Sequence, residues 1–241
     1  MPRDHYTLPC MIKAAQGKGK RGTFLVRTEE HAQKAFSELS KNFCDAEIVI
    51  TEVIEDILKC LIVQMYLFQD GHIYCLGVKH KTNRQFCKET ANCVRPPDVD
   101  WNEQEQLKEE VWDLVIPVTK YLHENGYFGF VGIEILVNNK GKYVIDVNLK
   151  ISSSTNLLLI SPHMAALNYP VSYVLDVLPT NIRHMLDTID RLNSRGEGRI
   201  VLLADGSSNG ESPHKACVVI FAKNSEKALI LERELTKLTE L

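Results

Sequence analysis

The chain has 241 residues, 44% of them hydrophobic and 24% charged, an ordinary globular composition with room for one large domain or two small ones. A formal net charge of −3 is too small for an electrostatic nucleic-acid binder, the apolar runs are too short to span a bilayer, and the polar first six residues lack the apolar core of a signal peptide. Seven cysteines, an odd number without a CxxC pair, argue against a disulfide framework or a structural zinc site and suit a reducing, cytoplasmic setting.

Residues 9–14 form a short apolar run, and residues 23–26 are a second strand candidate. Between them lies Gln16-Gly17-Lys18-Gly19-Lys20-Arg21-Gly22, so the pair reads as a hairpin with a long glycine loop. Thr28 before Glu29 and Glu30 predicts a helix start, an N-cap followed by acids in the first turn. That helix runs to about Lys41 with Ala32, Ala35, Phe36 and Leu39 on one face, and residues 47–54 read as a strand. Strands follow at 61–68 and 72–78, joined through Gln69-Asp70-Gly71, and Arg95-Pro96-Pro97 is a break. A long amphipathic helix is predicted over 103–125, with Pro117 as a kink or boundary. Residues 131–137 and 142–150 are strands around the turn 138–141, and residues 161–178 and 181–193 are predicted helices. After a linker at 195–198 come strands 199–204 and 216–222 and a helix over 225–241.

Two constellations carry chemistry. The first is Ile12-Lys13-Ala14 with the glycine loop. Glycines let backbone N–H groups approach a phosphate and form an anion nest, and Lys13, Lys18, Lys20 and Arg21 add four cations. A basic surface hairpin accounts for the same residues. The order is neither that of a P-loop nor that of a Rossmann fingerprint.

The second is Gly132-Ile133-Glu134 followed across a turn by Ile145-Asp146-Val147-Asn148-Leu149-Lys150. Period two places Asp146, Asn148 and Lys150 on one face of a strand. With a three-residue loop 139–141, Glu134 pairs opposite Asp146, their Cβ atoms about 5 Å apart. Two carboxylates that close call for a cation, and two acids with an amide oxygen are hard ligands suited to Mg²⁺ shared with phosphates. A solvated polar sheet face is the alternative.

These residues resemble the lid hairpin and the paired metal-binding strands of the ATP-grasp enzymes, especially the biotin carboxylase and carbamoyl phosphate synthetase branch. The resemblance covers roughly residues 8–165. It implies an α+β ATP-grasp fold: a lid lobe at 8–54, a metal and phosphate lobe at 55–195, and a small C-terminal β-β-α cap at 196–241. It implies ATP as cofactor with Mg²⁺, or Mn²⁺ in its place. Lys13 then holds phosphates, Gly17, Gly19, Lys20 and Gly22 belong to the phosphate lid, and Glu52, Val53 and Ile54 form the hinge that lines adenine. Glu134, Asp146 and Asn148 fall on the metal ligands, and Lys13 and Lys150 on the catalytic cations.

The sequence departs from the family at several points. Asp146 stands where Glu is usual, Lys150 where Arg is usual, and Lys59-Cys60 where a ribose-binding acid is common. A domain that normally precedes the lid is absent from this sequence, which implies a fragment, one part of a split enzyme or a degenerate paralogue. The implied activity is ADP-forming carboxylate–amine ligation through an acyl phosphate, on small-molecule substrates. A homodimer or a partner chain would then fill the gap. The alternatives are bicarbonate activation of the biotin carboxylase type and a non-catalytic ATP-binding module.

Minor features leave two readings each. Lys79-His80-Lys81 with Arg84 is an anion site or, preferably, a solvated basic strand end. Residues 152–155, Ser-Ser-Ser-Thr, are a substrate loop or a helix N-cap.

Overall fold

The computed structural model describes residues 6–15, 22–43, 47–81, 97–179, 181–205 and 216–239. The chain divides into two compact units, residues 1–56 and 57–241. No described helix is long and apolar enough to cross a membrane.

In the first unit β1 (Cys10–Ala14) lies between β2 (Thr23–Val26) and β3 (Ile48–Glu52), antiparallel to both, with α1 (Glu29–Asn42) completing the unit. Alternation decides which face is covered: Cys10, Ile12 and Ala14 are buried with Ala32, Ala35 and Leu39 of α1 in one core. Thr28 caps α1 as expected, its hydroxyl accepting from the His31 N–H at 3.2 Å. At the unit boundary Asp56 takes a positive φ of 53°, a conformation that Asp tolerates better than most residues.

The second unit runs β4 (Lys59–Leu67), β5 (Ile73–His80), β6 (Val99–Asp100), α2 (Gln104–Glu124), β7 (Gly129–Asn138), β8 (Gly141–Asn148), α3 (Ser153–Ala166), β9 (Val171–Val177), α4 (Ile182–Ser194), β10 (Gly198–Asp205), β11 (Ala216–Ala222) and α5 (Ser225–Thr239). Its strands form two four-stranded sheets, ordered β5-β4-β7-β8 and β10-β11-β9-β6. In the first sheet Leu61, Val63, Met65, Val131, Ile133 and Ile135 pack against Leu107, Val111 and Val115 of α2. In the second, Tyr173, Val218 and Ile220 pack against α4 and α5 through Met185, Ile189, Leu231 and Leu235. A further core joins the two sheets through α3: Leu157 and Leu158 meet Leu76 of β5 and Val219 and Phe221 of β11. The fold is therefore α+β with each sheet covered by helices.

Three expectations change. Residues 161–178 are not one helix. The helix starts earlier, at Ser153, and ends where Asn168 turns to a φ of 68° ahead of Pro170; residues 171–177 are then a strand rich in β-branched residues. The described part of residues 196–241 runs β-β-α as expected, and β11 lies inside its sheet, hydrogen-bonded to β10 on one side and β9 on the other. Pro117 sits inside α2, so it is not a helix boundary. The turn between β7 and β8 holds two residues, since Asn138 pairs with Gly141. A bulge at Ile145 adds the residue that a three-residue loop was expected to supply, and Glu134 meets Asp146 all the same.

Candidate active site

The opposed pair of carboxylates stands on the face of the β7–β8 pair turned away from α2. Ile133 and Ile135 point into the α2 core, so Glu134 between them points the other way. Glu134 pairs with Asp146 and Gly132 with Asn148, with the Ile133–Val147 pair between them. Asp146 is exposed and Asn148 half-buried, and the Asn148 amide nitrogen donates to Asp146 Oδ2 at 2.8 Å. Lys150 lies two residues past the end of β8 and is exposed.

Glu134 is the enclosed member, its side chain 11% exposed. Its Oε1 receives the Lys81 ammonium at 2.5 Å and the Cys60 thiol at 3.5 Å. Burial, together with the charge of Glu134, pushes the Cys60 thiol up to about 12, so Cys60 stays protonated and acts as a weak donor. Lys81 follows β5, and its backbone N–H donates to the Cys60 carbonyl at 2.7 Å, which fixes the chain where the side chain must start. Of the basic strand end 79–84, Arg84 lies outside the described residues, and residues 79–81 are not simply solvated. Lys79 is buried and 3.8 Å from Asp98, His80 is held below the usual histidine range by burial, and Lys81 faces Glu134.

A neutral network borders the row. Gln64, 2% exposed, accepts from Thr155 Oγ1 at 3.0 Å and donates to Ser152 Oγ at 3.2 Å. Ser152 and Thr155 also form the capping box of α3. Of the two readings of residues 152–155, the helix N-cap is the one observed. The network ties α3 to the sheet just after the strand that carries Asp146 and Asn148.

In the first unit Lys13 lies on the face of β1 opposite Ile12 and the α1 core, paired with Thr23 and Val49. The surrounding positions Leu25 and Val49 are 46% and 43% exposed, which leaves that sheet face open. Gly22 takes a φ of 82°, and its carbonyl accepts from the Ala14 N–H at 2.8 Å, closing the base of the hairpin. Gly17, Gly19 and Lys20 lie outside the described residues. Glu52 ends β3, and Val53 and Ile54 continue it toward Asp56. Neither residue at the expected ribose position supplies an acid: Lys59 pairs with Glu110 at 2.8 Å and Cys60 faces Glu134.

The donor set of the β7–β8 row fits a hard divalent cation. It offers a buried carboxylate, an exposed carboxylate and an amide, and the buried carboxylate already draws a cation to itself. Sequence reasoning found these three residues because they lie on one hairpin. It missed Gln64 and the role of Lys81, which come from strands far away in sequence; the β4–β7 register that opposes Ile62 to Glu134 is the information it lacked.

Residues 2–148 match the model of a family described as L-aspartate–L-methionine ligase, ATP grasp. The chain belongs to this ATP-grasp family. A curated relative, tyramine–L-glutamate ligase of Methanocaldococcus jannaschii, is 33% identical over 66 residues, which are 27% of this chain and 21% of the relative. The ADP complex of N5-carboxyaminoimidazole ribonucleotide synthetase aligns with 98% of the chain at a TM-score of 0.62 and 17% identity. Biotin carboxylase of Campylobacter jejuni aligns with 93% of it at a TM-score of 0.55 and 16% identity. At those identities the two structures establish the ATP-grasp fold. The chain spans 63% and 56% of their lengths, and its match to the curated relative covers about a fifth of that protein.

Proposed function

We propose that the chain is an ADP-forming carboxylate–amine ligase that activates its substrate as an acyl phosphate. The observation that carries this reading is the Glu134–Asp146 pair with Asn148 beside it, in a chain of the ATP-grasp family. Glu134, Asp146 and Asn148 hold Mg²⁺, or Mn²⁺ in its place. The ion neutralises charge on the phosphate oxygens of ATP when bound. Lys13 and the backbone of the Gly17, Gly19, Lys20 and Gly22 loop hold the nucleotide phosphates. Glu52, Val53 and Ile54 line the base. Lys150 faces the transferring phosphate or the substrate carboxylate as a point charge, without the bidentate fork of Arg. A carboxylate oxygen attacks the γ-phosphorus and ADP leaves. An amine then attacks the acyl carbon, phosphate leaves, and the nitrogen gives up a proton. No protein nucleophile takes part.

The family and the curated relative are both named for ligases that join an amino acid to an amine-bearing partner. We therefore assign an amino-acid carboxylate as the activated substrate and a small amine or second amino acid as the acceptor. Calorimetry with ATP, with and without Mg²⁺, tests the metal row. The expected result is Mg²⁺-dependent tightening in the wild type that Asp146→Ala loses. Equal Mg²⁺ dependence in both proteins removes the metal assignment. ADP release against paired amino acids and amines then identifies the substrates.

A further inference from the structure

We propose that Lys81 is the resident counter-ion of Glu134, and that it gives way when a divalent cation loads. This rests on the metal reading of Glu134, Asp146 and Asn148, and it adds a residue that the metal motif itself does not contain.

The two carboxylates of the row live in different surroundings. Asp146 is exposed to water and accepts from the Asn148 amide at 2.8 Å. Glu134 is enclosed, and a carboxylate taken out of water is costly unless a cation compensates it. Lys81 supplies that cation, 2.5 Å from Oε1, while the Cys60 thiol donates to the same oxygen. The arrangement is built into the fold. The Lys81 N–H is tied to the Cys60 carbonyl, and β4 places Ile62, two residues on, opposite Glu134.

A divalent ion shared by Glu134 and Asp146 has to sit within coordination distance of the carboxylate that Lys81 now holds. An ammonium in contact with the same oxygen then repels it, in surroundings where charge interactions are only partly screened. Lys81 is able to leave. Its side chain is 39% exposed and ends a flexible four-carbon stem, so the ammonium can swing into water. Metal loading and Lys81 release are thus linked. The lysine keeps the empty acid compensated and lowers the affinity for metal that the bare acids would have.

The test is Mn²⁺ titration followed by the paramagnetic resonance signal of free Mn²⁺, on the full chain without nucleotide. Lys81→Met is expected to bind Mn²⁺ about tenfold or more tightly than the wild type, with Lys81→Arg close to the wild type. Without metal, Lys81→Met is expected to melt at a lower temperature, with the deficit closing as Mn²⁺ is added. A purely structural lysine would lower the melting temperature and leave the affinity unchanged. A lysine that holds phosphate would weaken nucleotide binding and also leave it unchanged. Either result overturns the proposal. A second measurement needs no variant: the acylation rate of Lys81 in the wild type, read by mass spectrometry, is expected to rise when Mg²⁺ is added. A rate that stays constant or falls overturns the proposal. If the wild type binds no Mn²⁺ without nucleotide, this proposal fails, and the Mg²⁺ dependence of ATP binding still decides the metal row. If it binds Mn²⁺ with an affinity that Lys81→Met does not raise, only this proposal fails.

Discussion

Gln64 uses both ends of one buried amide, and its contacts explain a neighbour as well. Gly132 lies opposite it, and a Cβ on Gly132 would sit 2.5 Å from Gln64 Nε2. Gly132 thus has a packing reason, apart from its place in the Gly-Ile-Glu motif. Gln64→Ala leaves the Ser152 and Thr155 hydroxyls short of partners in a buried place, an expected loss of about 1–3 kcal/mol. Gly132→Ala forces the amide aside at a similar expected cost of about 1–3 kcal/mol. Both changes act on one contact, so the double variant is expected to lose clearly less than the two losses added. Urea denaturation of the four proteins measures this, and additive losses would show that Gly132 and Gln64 do not compete for space. The acidic row was legible in sequence because Glu134 and Asp146 sit on consecutive strands, where period two dictates the face. Cys60 and Lys81 lie 74 and 53 residues from Glu134. The pairing of β4 with β7 brings in Cys60, the pairing of β5 with β4 then brings in Lys81, and no local pattern announces either pairing.

Elements were legible where their periodicity was strong. The buried stripe of α1 falls where the sequence placed it, and β1 lies within the apolar run 9–14. Residues 161–178 did not, because an apolar run fits either period until its caps are known; the Ser152–Thr155 box and the left-handed Asn168 are what divide it. The β7–β8 turn shows a different limit. A two-residue turn with a bulge and a three-residue turn without one give the same Glu134–Asp146 pair. The pairing of the row was therefore readable although the turn was not. The C-terminal strands carry the largest consequence. Ala216–Ala222 pair with β9 over seven positions, and Val219 and Phe221 enter the core beneath α3. A chain ending at Arg195 loses β10, β11 and α5. It exposes an unpaired β9 edge and one face of that core. We expect it to lose cooperative unfolding in the second unit and to be cut rapidly by protease in residues 171–194. A compact, protease-resistant 57–195 region would show that the C-terminal strands are an accessory after all.

At the scale of the molecule, each of the two units holds hydrophobic core of its own. Lys13 belongs to the first unit, and Glu134, Asp146 and Asn148 belong to the second. The sequence expectation ends the lid lobe at residue 54, and the compact units meet between Asp56 and Ile57. The two-sheet construction of the second unit was beyond it, since sheet order depends on contacts between distant strands. A ligand that binds only the native form stabilises whatever it touches, by about 2.7 kcal/mol at a hundred times its dissociation constant. Amide exchange reads this for each unit separately, because buried strands exchange through opening of their own unit. With Mg-ATP in excess, the amides of β1 and β3 and those of β7 and β8 are expected to slow together. Asp146→Ala removes a ligand from the second unit, yet it is expected to reduce the nucleotide-dependent slowing in β1 and β3 as well. Lys13→Ala is expected to do the reverse. Slowing confined to β7 and β8, unaffected by Lys13→Ala, would remove Lys13 and the glycine loop from the nucleotide site while leaving the metal row in place.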